Sequence, residues 1–586
     1  MSMTCTHPSC GARCAPWAIV VVALLAAMIA AAGASAGDLA VAAADRELDA
    51  AALTALIDRE LARRWEADGI VPAPPADDAE FLRRVSLDIV GKIPSVTEVR
   101  AFLDDRSPVK RQRLIEALLD RGSYASHFAN TWRDIILPGA NTNLETRALA
   151  PPFEAWLRIR FSVDTPYDQL VTELLTPAAT ADADANPFVR RPTVPSPLAF
   201  YQVNERKPEN LAANTARIFL GTQVQCAQCH NHPFAHWKQE EFWALAAFFG
   251  GAAQPGDAAN DSNAAESSES ESSESQSSEV ATGNESATPA APKPPAGLSI
   301  KIPEIDVVVE ARFLDGSPSA WRPGDDARLE LARWITRPDN PYFARATVNR
   351  IWEHFFGRGL VDPADDLDAR NPPSHPELFD ELAQQFVEHH YDFKYLIRAI
   401  TSSRAYQLTS RTNDAAAGQG ADDDPQAFAR MPVRRMTPEQ LYVSLVEATG
   451  FRDTTPRQQA AVFGVETARA AFQARFADQS ARRGEAQTSI LQALALMNGT
   501  FVGDATRLER SVTLAAVTEL PVLDARRRIE ALFLYTLNRP PELAEAELFG
   551  AHVQQAVEQA GPEGEKAALA DVFWALLNSA EFIMNH

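Results

Sequence analysis

Cysteine is scarce in this sequence, and so is positive charge. Of 5 cysteines in 586 residues, Cys5, Cys10 and Cys14 precede an apolar run at 17–32, which leaves Cys226 and Cys229 for the rest of the chain. Two cysteines are too few for a disulfide framework, and the ring they could close is too short to constrain much unfolded chain, so the pair serves chemistry rather than scaffolding. Basic residues number 55 against 78 acidic ones, a net charge of -23. Such a chain repels nucleic acid and anionic lipid, which excludes a nucleic-acid partner. The sequence has no nucleophile elbow, phosphate loop or His-Glu-x-x-His helix, so no hydrolase or transferase is indicated. Methionine is rare as well, with none between His230 and Met431.

What is present suits packed globular structure: 46% apolar residues, 10 tryptophans, and a length greater than one core usually organises. The first 36 residues carry one charge, Arg13, then the apolar run, then Ala34-Ser35-Ala36. That order predicts a signal peptide cleaved after Ala36 and an extracytoplasmic location, periplasmic or secreted. The alternative is an uncleaved membrane anchor through 17–33, the only route by which this chain would contact a membrane.

Helical spacing dominates the chain beyond that segment. Ser95 with Glu98 forms a capping-box pattern ahead of Val99, Phe102 and Leu103, and Ser107-Pro108 predicts a helix start before Leu114, Ile115, Leu118 and Leu119. A helix entered at Pro208 and closed by Gly221 carries Leu211, Thr215, Ile218 and Phe219 on one face. Further starts lie at Thr437-Pro438-Glu439-Gln440 and Asp524. Residues 251–297 change to Ser, Glu, Ala and Pro and read as a disordered acidic linker, and alternation over 298–314 with Val307-Val308-Val309 predicts one small β element. The expected fold is mainly α: a signal peptide at 1–36, a cytochrome-like helical domain at 45–250, the linker at 251–297, and a second mainly helical domain at 298–586.

The chemistry centres on Cys226-Ala227-Gln228-Cys229-His230. Two thiols at this spacing can bond to the two vinyl groups of a haem and place His230 under the iron as axial ligand, so haem c is the expected cofactor. Phe234, Trp237, Phe242, Trp243, Phe248 and Phe249 come next; they could wall a flat cofactor or serve an ordinary core. The same residues allow zinc instead, from Cys226, Cys229, His230, His232 and His236, and also a Cys226–Cys229 disulfide. No methionine lies close downstream as a sixth haem ligand, so His354, His375, Met431 and Met436 are the candidates from the second domain. A second cluster, Asp362, Asp365, Asp366, Asp368, Arg370, Asn371 and His375 in 361–376, could bind a hard cation or do acid–base work; a solvated loop of turn-forming Asp, Asn and Pro is the favoured account.

Longer motifs add a resemblance. Phe81-Leu82-Arg83-Arg84-Val85-Ser86-Leu87-Asp88, and Thr215-Ala216-Arg217-Ile218-Phe219-Leu220-Gly221 running into the cysteine motif and Asn231-His232-Pro233-Phe234, resemble the extracytoplasmic domain of unknown function 1549 of planctomycete-type bacteria. Thr347-Val348-Asn349-Arg350, Phe356-Gly357-Arg358-Gly359-Leu360-Val361 and Asn371-Pro372-Pro373-Ser374-His375-Pro376 resemble its companion, domain of unknown function 1553. The first domain is described as cytochrome-like. The resemblance therefore implies an exported protein that transfers or holds electrons with an envelope or redox partner; the reading from a different class is a non-catalytic envelope interaction protein with a structural zinc cluster.

Overall fold

A computed structural model describes residues 48–139, 144–177, 194–250, 298–411 apart from 304, 424–451, 468–476, 497 and 499–586. The expected signal peptide at 1–36 and the expected linker at 251–297 lie outside the described residues. The protein is mainly helical, with two small two-stranded sheets among the described residues. No described helix is long and apolar enough to cross a membrane. Residues Ala50–His586 form one compact unit, so the stretches before and after the linker share their packing.

Local chemistry sets most helix ends where the sequence puts them. Ser95 and Glu98 make the reciprocal capping box that opens Val96–Asp104, and Thr437 with Gln440 opens Pro438–Thr449 the same way. Pro208 is the first residue of Pro208–Phe219, whose buried face includes Leu211, Thr215, Ile218 and Phe219. Asp524 caps Ala525–Thr536. The expected start at Ser107-Pro108 differs: a turn intervenes, Lys110 N–H donating to the Ser107 carbonyl at 3.2 Å, and the helix runs Lys110–Leu119. The predicted β element is the antiparallel pair Ser299–Lys301 and Val308–Glu310, with Ile300 opposite Val309.

Helix Asp78–Val90 is the hub. It is buried on every side, charged residues included. Arg83 donates to the Thr536 carbonyl at 3.1 Å, Asn538 Oδ1 at 2.7 Å and the Phe582 carbonyl at 2.8 Å. Arg84 donates to Glu80 Oε1 at 2.6 Å and to the carbonyls of Tyr406 at 2.8 Å and Leu408 at 2.9 Å. Asp88 accepts from Arg434 at 2.8 Å, from the Tyr406 hydroxyl at 2.7 Å and from Asn585 Nδ2 at 2.7 Å. One short helix thus satisfies backbone and side-chain groups hundreds of residues away. Leu87 and Ile93 continue into a core with Leu445, Leu532, Phe533, Leu569 and Phe573 of the C-terminal helices.

Candidate functional site: a cysteine-histidine turn beside an acidic loop

Helix Pro208–Phe219 is capped by Leu220 and followed by Gly221, whose φ of 63° turns the chain toward the cysteine motif. Gln225–Gln228 is a single 3₁₀ turn with Cys229 at its end. Ala227 is fully buried, while Cys226 and Cys229 are exposed with free thiols. Because side chains three apart eclipse in a 3₁₀ turn, both sulfurs lie on its outer side. The following helix, Gln239–Ala246, holds the turn from within: Trp243 Nε1 donates to the Gln228 carbonyl at 3.0 Å, and Gln239 Nε2 donates to the carbonyls of Gln228 at 3.1 Å and Cys229 at 3.0 Å. Sequence reasoning does not single out this supporting role of Gln239 and Trp243; their i,i+4 spacing directly after the motif is the available signal.

The histidines divide by tautomer. His230 Nδ1 faces the Asn231 carbonyl at 2.8 Å and must donate, which leaves the Nε2 lone pair free on an exposed ring. His232 is held the other way round, its Nδ1 accepting from Ala235 N–H at 2.8 Å and Phe234 N–H at 3.2 Å, so its hydrogen sits on Nε2. His236 packs against Trp237, the rings tilted by 40° with centroids 4.0 Å apart. Among the described residues no three His, Cys, Asp or Glu side chains converge as a metal site. The five residues of the zinc alternative share a loop without being drawn together in this conformation.

The acidic loop at 361–376 is shaped by an asparagine. Asn349 Nδ2 donates to the Val361 carbonyl at 2.8 Å and the Ala364 carbonyl at 3.3 Å, and its Oδ1 accepts from Val361 N–H at 3.0 Å. Gly359 lies so close that a Cβ there would stand 2.3 Å from the Val361 carbonyl oxygen and 2.8 Å from Asn349 Oδ1. The loop then reaches the cysteine segment. Leu367 N–H donates to the Gly221 carbonyl at 2.8 Å, Gln223 Nε2 donates to Asp365 Oδ1 at 3.1 Å, and Arg217 lies 3.6 Å from Asp365. Between the two segments is a cleft of about 360 Å³, lined in part by Gln223, His232, Phe234, Asp366, Arg370 and Asn371. Burial and the neighbouring Asp368 raise the Asp366 carboxyl above its ordinary value, against the pull of Arg370. Asp368, bonded to Arg370 Nε at 2.7 Å, is held low by that guanidinium.

Two family models match the chain: PSCyt2, a protein of unknown function (DUF1549), over residues 56–254, and PSD1, a protein of unknown function (DUF1553), over 327–463. The chain thus carries the two domains as a pair. No curated protein and no solved structure matches it. The DUF1549 domain supplies the cysteine turn and the DUF1553 domain the acidic loop, so the cleft lies where the pair meets. The motifs behind the resemblance hold these parts together: Arg83, Arg84 and Asp88 in the hub helix, Arg217 and Gly221 behind the cleft, and Asn349 and Gly359 under the loop. Gly357 closes helix Phe343–Phe356 at a φ of 70°.

The structure decides between several alternatives that the sequence left open. Trp237, Phe242, Trp243, Phe248 and Phe249 are buried core, Phe248 stacking on Phe313 at 4.9 Å; of the aromatic series only Phe234, 77% exposed, is available to a ligand. The four sixth-ligand candidates are all buried away from the cleft lining. His354 donates from Nε2 to the Asp88 carbonyl at 2.9 Å, which takes that nitrogen out of metal binding. His375 packs on Phe428, and burial together with the nearby Arg64 charge lowers it to about 4. Met436 belongs to the C-terminal core. The distribution is physical: apolar and weakly polar residues in amphipathic helices go to the core, whatever a cofactor would gain from them.

Proposed function

We propose that this chain is an exported electron-carrying protein in which Cys226 and Cys229 attach a c-type haem covalently and His230 supplies an axial nitrogen. One observation carries the reading. His230 gives its Nδ1 hydrogen to a backbone carbonyl and keeps Nε2 free, the arrangement that orients a metal-binding imidazole, immediately after two free, exposed thiols on one side of a 3₁₀ turn. Covalently bound haem would supply one-electron chemistry. Buried Ala227 and the Gln239 and Trp243 hydrogen bonds hold the turn, so that the thiols and the imidazole stay at the surface, where a redox partner could approach. The DUF1553 loop meets the same segment through the Leu367 N–H bond to the Gly221 carbonyl and the Gln223 bond to Asp365. The extracytoplasmic location belongs to this proposal, since haem attachment of this kind takes place on exported chains.

The test is the Cys226→Ser, Cys229→Ser double variant, exported in a host that matures c-type cytochromes. Wild type is expected to keep haem stain on a denaturing gel and to show a Soret band. The double variant should lose both, while the stability of the haem-free chain changes by no more than about 0.5 kcal/mol, because both side chains are exposed. His230→Ala should shift the spectrum. Zinc at a ratio near one with no iron, or a Cys226–Cys229 disulfide with no bound metal, would overturn the assignment.

Export makes its own prediction. Intact-mass measurement of the exported protein should show it lacking the first 36 residues; full-length chain in a membrane fraction would establish an anchor instead.

A further inference from the structure

We propose that the cleft between segments 223–237 and 366–371 binds a neutral polyhydroxylated ligand, a carbohydrate unit. The inference does not rest on haem attachment, because neither cysteine nor His230 lines the cleft. Its volume of about 360 Å³ is within the small-molecule range and equals roughly a dozen waters, the size class of a sugar ring unit.

Charge narrows the class. Arg370 is engaged by Asp368 through its Nε, and Asp366 faces the same space, so an anion would meet a carboxylate and a cation would meet a guanidinium. Hydrogen-bonding capacity points the same way. Asn371 gives its amide N–H groups to the carbonyls of Asp362 and Asp366, and Gln223 gives one to Asp365 and keeps a second, so the two amides offer the cleft acceptor oxygens and one further donor. His232, with Nδ1 occupied by two backbone N–H groups, offers Nε2–H as a donor. A mixed set of fixed acceptors and donors suits hydroxyl groups, each of which can donate and accept. Phe234 completes the site: its ring is 77% exposed, and its backbone N–H is tied to His232 Nδ1. An apolar face beside convergent polar groups is what the C–H face and hydroxyl rim of a sugar require.

The test is isothermal titration of the exported full-length protein with cellobiose, maltose, choline chloride and sodium citrate as separate probes, on haem-loaded protein and on protein exported without the maturation machinery. A neutral disaccharide is expected to bind to both forms. Phe234→Ala should weaken it about tenfold through loss of the ring contact, and Asp366→Asn should weaken it about tenfold through loss of a charge-assisted hydrogen bond. Phe234 is largely exposed, so that variant keeps the fold, and circular dichroism checks it. No disaccharide binding at millimolar concentration, binding of choline or citrate alone, or saccharide binding unchanged by both substitutions would each overturn the proposal. Because the haem-free protein is measured in parallel, failure of haem attachment is read separately.

Discussion

Replacing Glu80 by alanine should lower stability by about 3–5 kcal/mol, the usual consequence of removing one partner of a buried ion pair. Both side chains are about 1% exposed and lie 2.6 Å apart. The substitution strands the Arg84 charge in the hub helix. It also removes the acceptor for the Thr409 hydroxyl at 2.7 Å and for the Ser410 N–H at 2.7 Å. The urea midpoint measures this, and loss of less than about 1 kcal/mol would show that water reaches the site on truncation. The pH dependence has a definite sign. Burial pushes the Glu80 carboxyl up, but the Arg84 guanidinium with the Ser410 and Thr409 hydrogen bonds outweighs it, and the net shift is downward from 4.5. A folded-state value below the unfolded one adds stability that is fully present above about pH 4.5 and is lost as pH falls through the lowered value. The gap between wild type and Glu80→Gln should therefore be full at pH 7 and shrink below pH 4.5.

Asn349→Ala should cost about 3 kcal/mol and loosen the acidic loop. Asn349 is fully buried, and its removal leaves Val361 N–H and the carbonyls of Val361 and Ala364 without their side-chain partner, at about 1–3 kcal/mol for each group that stays dry. Asn349→Asp should fare no better: a carboxylate can still accept from Val361 N–H, but it turns oxygens toward two carbonyl oxygens where the amide had donated. Thermal unfolding gives the stability loss, and limited proteolysis within 361–371 reports the loosening. An Asn349→Ala protein with unchanged midpoint and unchanged cleavage would show that the loop is held by its other contacts, such as the Leu367 N–H bond to the Gly221 carbonyl.

Much of this protein was determined by its sequence alone. Helix starts at Ser95, Pro208, Thr437 and Asp524 were legible because a cap or a proline acts within three or four residues, and so was the β pair, whose alternation spans a few positions. The family was legible in long motifs, and the cysteine turn in a five-residue pattern. Tertiary structure decided what no local pattern encodes. Arg83, Arg84 and Asp88 look like the polar face of a surface helix, yet they are buried, because their hydrogen-bonding partners arrive from residues 406–408, 434, 536–538 and 582–585. The tautomers of His230 and His232 depend on which backbone groups the folded loop presents to each ring. The aromatic series after the cysteines could not be divided into core and available surface until the helices were packed, and only Phe234 remained outside. The acidic loop and the cysteine turn lie more than a hundred residues apart in the chain, and they share one cleft because Gly221 turns the chain back and Asn349 fixes the loop that meets it. Burial and partner identity are properties of the folded chain, since both depend on what the rest of the sequence brings to the same place.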